Sequence, residues 1–223
     1  FMNNEHTLIG NNELTIEDLA SFWQAIAKEF STFKNIYGYG LMNEPHDLAP
    51  ETKWFDMAQA SINAIREVDT NTLIMVGGND WSSAERWIEQ SDTLKFLKDP
   101  ANNLAFEAHV YFDKDASGTY KYSYEEEECY PEKGIDRVKP FVEWIKQNKF
   151  HGFIGEYGIP DNDPRWNETL DLFLGYLQEN GINGTYWAAG PWWDTYFMAI
   201  TPKDGKDRPQ MPIIEKYTST LKK

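Results

Sequence analysis

The chain is short of what would tie it to a metal, a phosphate, a membrane or a nucleic acid. It has one cysteine, Cys129, so no disulfide can form within it and its redox compartment cannot be read from a cysteine framework. Its four histidines, His6, His46, His109 and His151, are scattered without ligand spacing, so no metal site is expected. No run of about 18 apolar residues occurs, which removes a membrane span. Val76-Gly77-Gly78 has no following Lys-Ser or Lys-Thr, so it is not a phosphate loop. Lysine and arginine number 21 against 36 aspartates and glutamates, a formal net charge of −15. Such an acidic balance weighs against nucleic acid, which demands Lys and Arg to neutralise its phosphates, and favours a neutral polymer as partner. Phe1 to His6 have neither a basic start nor an apolar stretch, so no signal peptide is visible. Beginning at Phe1 rather than Met suggests a chain processed, trimmed or cut from something longer.

What it has in plenty is aromatic rings: 9 Trp, 12 Tyr and 13 Phe in 223 residues. Tryptophan is seldom fully buried, so this number exceeds what a core needs, and flat rings left at a surface suit stacking on sugar faces. The length fits one sizeable core, and a single domain over residues 1–223 is expected.

The patterning alternates helix and strand. Thr15 with Asp18 reads as a helix start, followed by an apolar stripe of Ile16, Leu19, Ala20, Trp23, Ile26, Ala27 and Phe30. Ile36 to Met42 then runs without a charge into Asn43 and Glu44, and Pro45 ends that strand because it lacks an N–H. Trp54 to about Val68 is the next helix, Thr72 to Gly77 a buried strand, Gly78 to Trp81 a loop, and a helix carries Trp87 and Ile88. Leu104 to Phe112 is a strand on which Glu107, His109 and Tyr111 share one face. A polar loop containing Glu125 to Glu128 follows, read as a solvated face, with a calcium site as the less favoured alternative. Ile135 to Asn148 is helical. Gly152 to Gly158 is a short strand ending near Glu156, Trp166 to Asn180 a helix stopped by Gly181, Gly184 to Gly190 a strand, and Pro212 to Leu221 a closing helix. The tally is a helix, then strand and helix five times over, which predicts an α/β fold with a parallel sheet.

Glu44 and Glu156 both stand at C-terminal strand ends, where α/β sheets and barrels carry their active sites. If a fold brought them to one crevice, they could serve as general acid/base and nucleophile for glycosidic cleavage. A separation of about 5 to 5.5 Å would mean retention and about 6.5 to 9.5 Å inversion. Asn43 could hold a sugar hydroxyl, His109 and Tyr111 could orient the nucleophile, and Trp187 could floor the sugar being cleaved. A lone strand histidine is more often structural, so the weight rests on these residues recurring together at strand tips.

Asn43-Glu44-Pro45-His46-Asp47, Gly78-Asn79-Asp80-Trp81, His109-Val110-Tyr111-Phe112-Asp113 with Ser117-Gly118-Thr119, Ile154-Gly155-Glu156 and Tyr186-Trp187-Ala188-Ala189-Gly190 together resemble glycoside hydrolase family 5, nearest its endo-β-1,4-glucanase branch. The resemblance implies a retaining glycosidase on a (β/α)8 barrel of the TIM type. It casts Glu44 as acid/base on the fourth strand, Glu156 as nucleophile on the seventh, and Asn43 as the contact to the sugar 2-hydroxyl. His109 and Tyr111 become the sixth-strand pair and Trp187 the eighth-strand platform, with Trp81 and Trp192 or Trp193 at flanking subsites. It implies no cofactor, a β-linked polysaccharide or oligosaccharide as partner, and secretion. A mannanase, a mixed-linkage glucanase and a weakly catalytic carbohydrate-binding relic are the alternatives.

The match also implies a departure. Family strands one to three, with an Arg and a His of the active site, would lie before Phe1, so the chain is expected to be a partial barrel covering roughly strands 4 to 8 and their helices. Five strands cannot close a barrel that wants eight. Its open side predicts a homo-oligomer or a separate N-terminal fragment as cover.

Overall fold

A computed structural model of the chain describes residues 8–10, 13–48 and 53–218. Helix α1 (Ile16–Phe30) starts where the sequence says it should: Asp18 N donates to Thr15 Oγ1 at 3.1 Å, and Thr15 N donates back to Asp18 Oδ2 at 2.8 Å. Each reciprocal bond satisfies an amide that the helix itself cannot. Strand β1 (Gly38–Gly40), α2 (Trp54–Arg66), β2 (Leu73–Gly77), the four-residue α3 (Asn79–Ser82), α4 (Trp87–Ser91) and β3 (Leu104–Tyr111) follow. Then come α5 (Lys133–Asn148), β4 (His151–Gly158), α6 (Arg165–Glu179), β5 (Asn183–Tyr186) and α7 (Met211–Tyr217). The strands are hydrogen-bonded in the order β1-β2-β3-β4-β5, and the pairs β1 with β2, β2 with β3, and β4 with β5 run parallel.

The chain forms two compact units, and β3 and α5 contribute residues to both. The first comprises residues 1–107 and 144–151. Its α2 buries Trp54, Met57, Ala58, Ile62 and Ile65, the face its apolar spacing marks out. A ring cluster also packs there, with Phe106 lying 4.9 Å from both Trp144 and Phe150 and Trp87 5.4 Å from Trp144. The second unit comprises residues 108–143 and 152–223. In it α6 buries Trp166, Leu170, Phe173 and Leu177, and Phe173 stacks against Phe112 at 5.2 Å and Tyr157 at 5.4 Å.

Several elements depart from the sequence reading. The first strand is only three residues long. Beyond Gly40 its backbone is held otherwise, with Leu41 N donating to Met75 O at 3.0 Å and Asn43 O taken by the Ser82 hydroxyl at 2.9 Å. The loop expected at Gly78 to Trp81 closes into a tight turn over Asn79 to Ser82, with left-handed backbone at Asp80, Trp81 and Ser82 (φ 55°, 56° and 54°) in place of regular helix. The last strand stops at Tyr186, so Trp187 lies past its end. The Trp187 carbonyl crosses so close to Gly158 that a Cβ there would stand 2.3 Å from it. Helix α5 begins at Lys133 and contains Pro140. The expected tail of the last helix, residues 219–221, lies outside the described residues.

The acidic run is not uniformly solvated. Glu127 is 3% exposed, and its carboxylate accepts Lys114 N at 2.7 Å and Tyr122 N at 2.9 Å. Glu126 accepts from the Ser123 amide and hydroxyl, Glu125 pairs with Arg165, and Glu128 with Lys114. Protein donors therefore take up all four carboxylates, which tie the loop together.

Candidate active site

In the first unit, three anchors hold the Asn43-Glu44-Pro45 segment. Trp23 Nε1 donates to Leu41 O at 3.1 Å, Trp54 Nε1 to Gly77 O at 2.7 Å, and Ser82 Oγ to Asn43 O. Gly77 is needed for this approach: a Cβ there would lie 2.9 Å from Met42 O and 2.8 Å from Ser82 Oγ. Glu44 is half-buried, Asn43 exposed and Pro45 buried. Beside them a cavity of about 290 Å³ is lined by His46, Asp47, Asn79, Asp80, Trp81 and Gln90, among others. The His46 ring stacks on Trp81 with centroids 4.5 Å apart and planes 14° from parallel, and Trp81 is 44% exposed.

In the second unit, β3 and β4 bring three of the expected residues together. Tyr111 hydroxyl donates to Glu156 Oε2 at 2.7 Å, and His109 Nδ1 stands 3.7 Å from the same oxygen. The Glu156 side chain is 13% exposed and that of His109 3%. The first contact is a charge-assisted hydrogen bond, whereas the second is too long for one. Burial and the neighbouring Glu156 charge push the Tyr111 hydroxyl far above the ordinary tyrosine range. It therefore keeps its proton well above neutral pH and remains able to donate to Glu156 there.

Trp187 is half-buried, anchored by its amide to Tyr157 O at 2.8 Å, and its ring meets Trp193 edge-on at 4.8 Å. Trp193 in turn meets Tyr196 at 5.0 Å. Trp192 stands apart, 89% exposed in the 3-10 turn Pro191–Trp193. A carboxylate at a strand end, a buried hydroxyl fixed on it and a tryptophan beyond the neighbouring strand can bind a sugar ring and attack its anomeric carbon.

Residues 2–192 match the family model described as cellulase, glycosyl hydrolase family 5. The chain belongs to this family. Among relatives of family 5, the endo-beta-1,4-glucanase B of Emericella nidulans is 36% identical over 84% of this chain and 56% of its own length. Among solved structures, Pseudomonas stutzeri endoglucanase Cel5A superposes with a TM-score of 0.89 at 40% identity, covering 99% of this chain and 66% of that one. The same enzyme in complex with cellobiose gives 0.88 at 41% identity, covering 97% of this chain and 64% of that one. The chain thus spans a little over half the length of the curated relatives and about two thirds of the solved ones. Its strands and alternating helices are those of a partial (β/α)8 barrel, roughly strands 4 to 8 of the family fold.

Sequence reasoning quoted Asp113 and Gly118 in a motif without giving them a role, and passed over Tyr120 and Arg137, though all four shape this family-5 site. Asp113, Gly118 and Tyr120 build the loop that covers Tyr111, and Arg137 from α5 donates Nη1 to the Tyr111 carbonyl. The aspartate directly after a strand, with Ser-Gly-Thr four to six residues on, was a legible signal for a side-chain-nucleated loop.

Proposed function

We propose that the chain is the catalytic part of a retaining endo-β-1,4-glucanase, working as one domain. The observation that carries this reading is the hydrogen bond from buried Tyr111 to Glu156 at the end of β4, in a chain of family 5. In the proposed mechanism, ionised Glu156 attacks the anomeric carbon while Glu44 gives its proton to the departing glycosidic oxygen. Glu44 then takes a proton from the water that releases the sugar from Glu156. Asn43 contacts the 2-hydroxyl, and Trp187 floors the sugar ring. Trp81, on its His46 support, and Trp192 or Trp193 extend the binding path. No cofactor enters these steps. A polymeric glucan cannot enter a cell, so the proposed place of action is extracellular. No helix among the described residues is long and apolar enough to cross a membrane.

Hydrolysis of carboxymethylcellulose, mannan and mixed-linkage glucan in parallel tests the substrate, and the anomer first released tests retention. The expected outcome is fastest release from the β-1,4-glucan with the β-anomer first. Glu156→Gln should abolish release, because it keeps the shape and removes the nucleophile. Glu44→Gln should harm substrates with poor leaving groups most. Because the relatives are longer, we extend the proposal to a covering partner, a second copy or an N-terminal fragment. The exposed rings of Trp81 and Trp192 fit one rival, a carbohydrate-binding relic. Glycan binding without release, unchanged in Glu156→Gln, would establish it.

A further inference from the structure

The loop from Asp113 to Tyr120 is knotted around a single buried carboxylate. Asp113 is 1% exposed and accepts the amides of Gly118, Thr119 and Tyr120 at 3.0, 3.0 and 3.2 Å, and the Ser117 hydroxyl at 3.0 Å. Four donors on one side chain fix the backbone as firmly as an element of secondary structure would. The curl brings Gly118, at φ 73°, flat against the Tyr111 ring. A Cβ there would lie 2.9 to 3.0 Å from ring atoms Cγ, Cδ1 and Cε1.

The end of the loop is anchored as well. The Tyr120 hydroxyl accepts Phe112 N at 2.9 Å and donates to Gly158 O at 2.6 Å. Phe112 directly follows Tyr111, and Gly158 lies two residues past Glu156. One buried hydroxyl therefore spans the ends of the two strands that carry the hydrogen-bonded pair. Burial, and then the Asp113 charge, hold that hydroxyl protonated.

We propose that this loop is a positioning element for the nucleophile: Gly118 backs the Tyr111 ring and Tyr120 sets the spacing of the strand ends, so that the Tyr111 hydroxyl meets Glu156. The inference rests on Glu156 being the nucleophile and goes beyond it by naming what aims its donor. Glycine is required at 118 on two grounds, the left-handed backbone and the ring 2.9 Å away. A side chain there forces the Tyr111 ring or the loop behind it to shift.

The test is the proton NMR signal of the Tyr111 hydroxyl at fixed pH, assigned by its disappearance in Tyr111→Phe and read beside kcat and KM on soluble β-glucan. In Gly118→Ala the signal should shift or vanish and kcat should fall roughly ten- to hundredfold, as for a small misplacement of a reacting group, with KM changed much less. Should Gly118→Ala not fold, Tyr120→Phe removes the bridge at nearly constant volume and should give the same result. A folded variant of either kind with the signal in place and kcat unchanged would overturn the proposal. So would a lowered melting temperature with the signal unmoved, since that is a purely structural role. If the unaltered chain shows no hydrolysis but Gly118→Ala still loses the signal, the positioning stands and the glucanase reading falls.

Discussion

At the scale of single residues, the two β3 side chains that face Glu156 are not equivalent. Tyr111 donates at 2.7 Å, while His109 Nδ1 stands at 3.7 Å, outside hydrogen-bond range. A hydrogen bond to a charged group is worth about 1.5–3 kcal/mol, which corresponds to roughly ten- to hundredfold in rate. Tyr111→Phe is therefore expected to lower kcat/KM on soluble β-glucan by that factor, and His109→Ala by less. Steady-state kinetics on the two variants decides it, and an inverted order would show that His109 moves onto Glu156 when substrate binds.

At the scale of elements, a buried aspartate fastens β1 to the turn between α2 and β2. Asp69 is 5% exposed and accepts Tyr39 hydroxyl at 2.9 Å, Thr72 hydroxyl at 2.6 Å, Thr72 N at 3.0 Å and Asn71 N at 2.9 Å. Burial opposes its ionisation and is the strongest single influence, but the donors together outweigh it and bring the carboxyl down to about 2. A carboxyl depressed in the folded state contributes stability above the unfolded value of about 3.9 and loses it as pH falls towards 2, a contribution on the order of 2 kcal/mol. The urea midpoint should thus fall between pH 4 and pH 2, and Asp69→Asn should flatten that fall while lowering stability near neutrality. An Asp69→Asn chain with the same acid slope as the unaltered one would assign the loss to other carboxyls.

The same elements show what one sequence can and cannot disclose. Thr15 and Asp18 announced α1 because a capping box is local, three residues across. The strand that carries Glu156 was legible because an apolar run that ends in a carboxylate stands out against any background, whereas β1 stops at Gly40, short of the expected tip at Glu44. The Glu125 to Glu128 run is solvated at three of its four positions, as read, and Glu127 departs because composition cannot see its bond from Lys114 N, 13 residues earlier. Tyr120 was silent for a stronger reason: its hydroxyl serves Gly158, 38 residues away, and nothing near it in the chain records that. Short strands were overdrawn at both ends of the sheet because hydrophobicity continues past the last paired residues, Gly40 in β1 and Tyr186 in β5.

At the scale of the whole molecule, the question is what covers its ends. The strand order places β1 and β5 outermost, and among the described residues neither is paired on its far side. Bare edges with their amides and carbonyls exposed invite another chain. In the first unit Phe22, Phe33 and Tyr37 are 56%, 50% and 70% exposed. In the second, a cavity of about 750 Å³ runs along β5, lined by Leu174, Ile182, Tyr186, Ile200, Ile214 and Tyr217, among others. Apolar surface left in water costs roughly 25 cal/mol per Å², so covering it favours association. The charge of −15 opposes self-association over distance, more at low salt than at high salt. Light scattering coupled to size exclusion should therefore give a mass above 25.9 kDa that grows with added salt, with β-glucan hydrolysis confined to the heavier fractions. Full activity in a 25.9 kDa species at every salt concentration would mean that hydrolysis needs no cover over these edges.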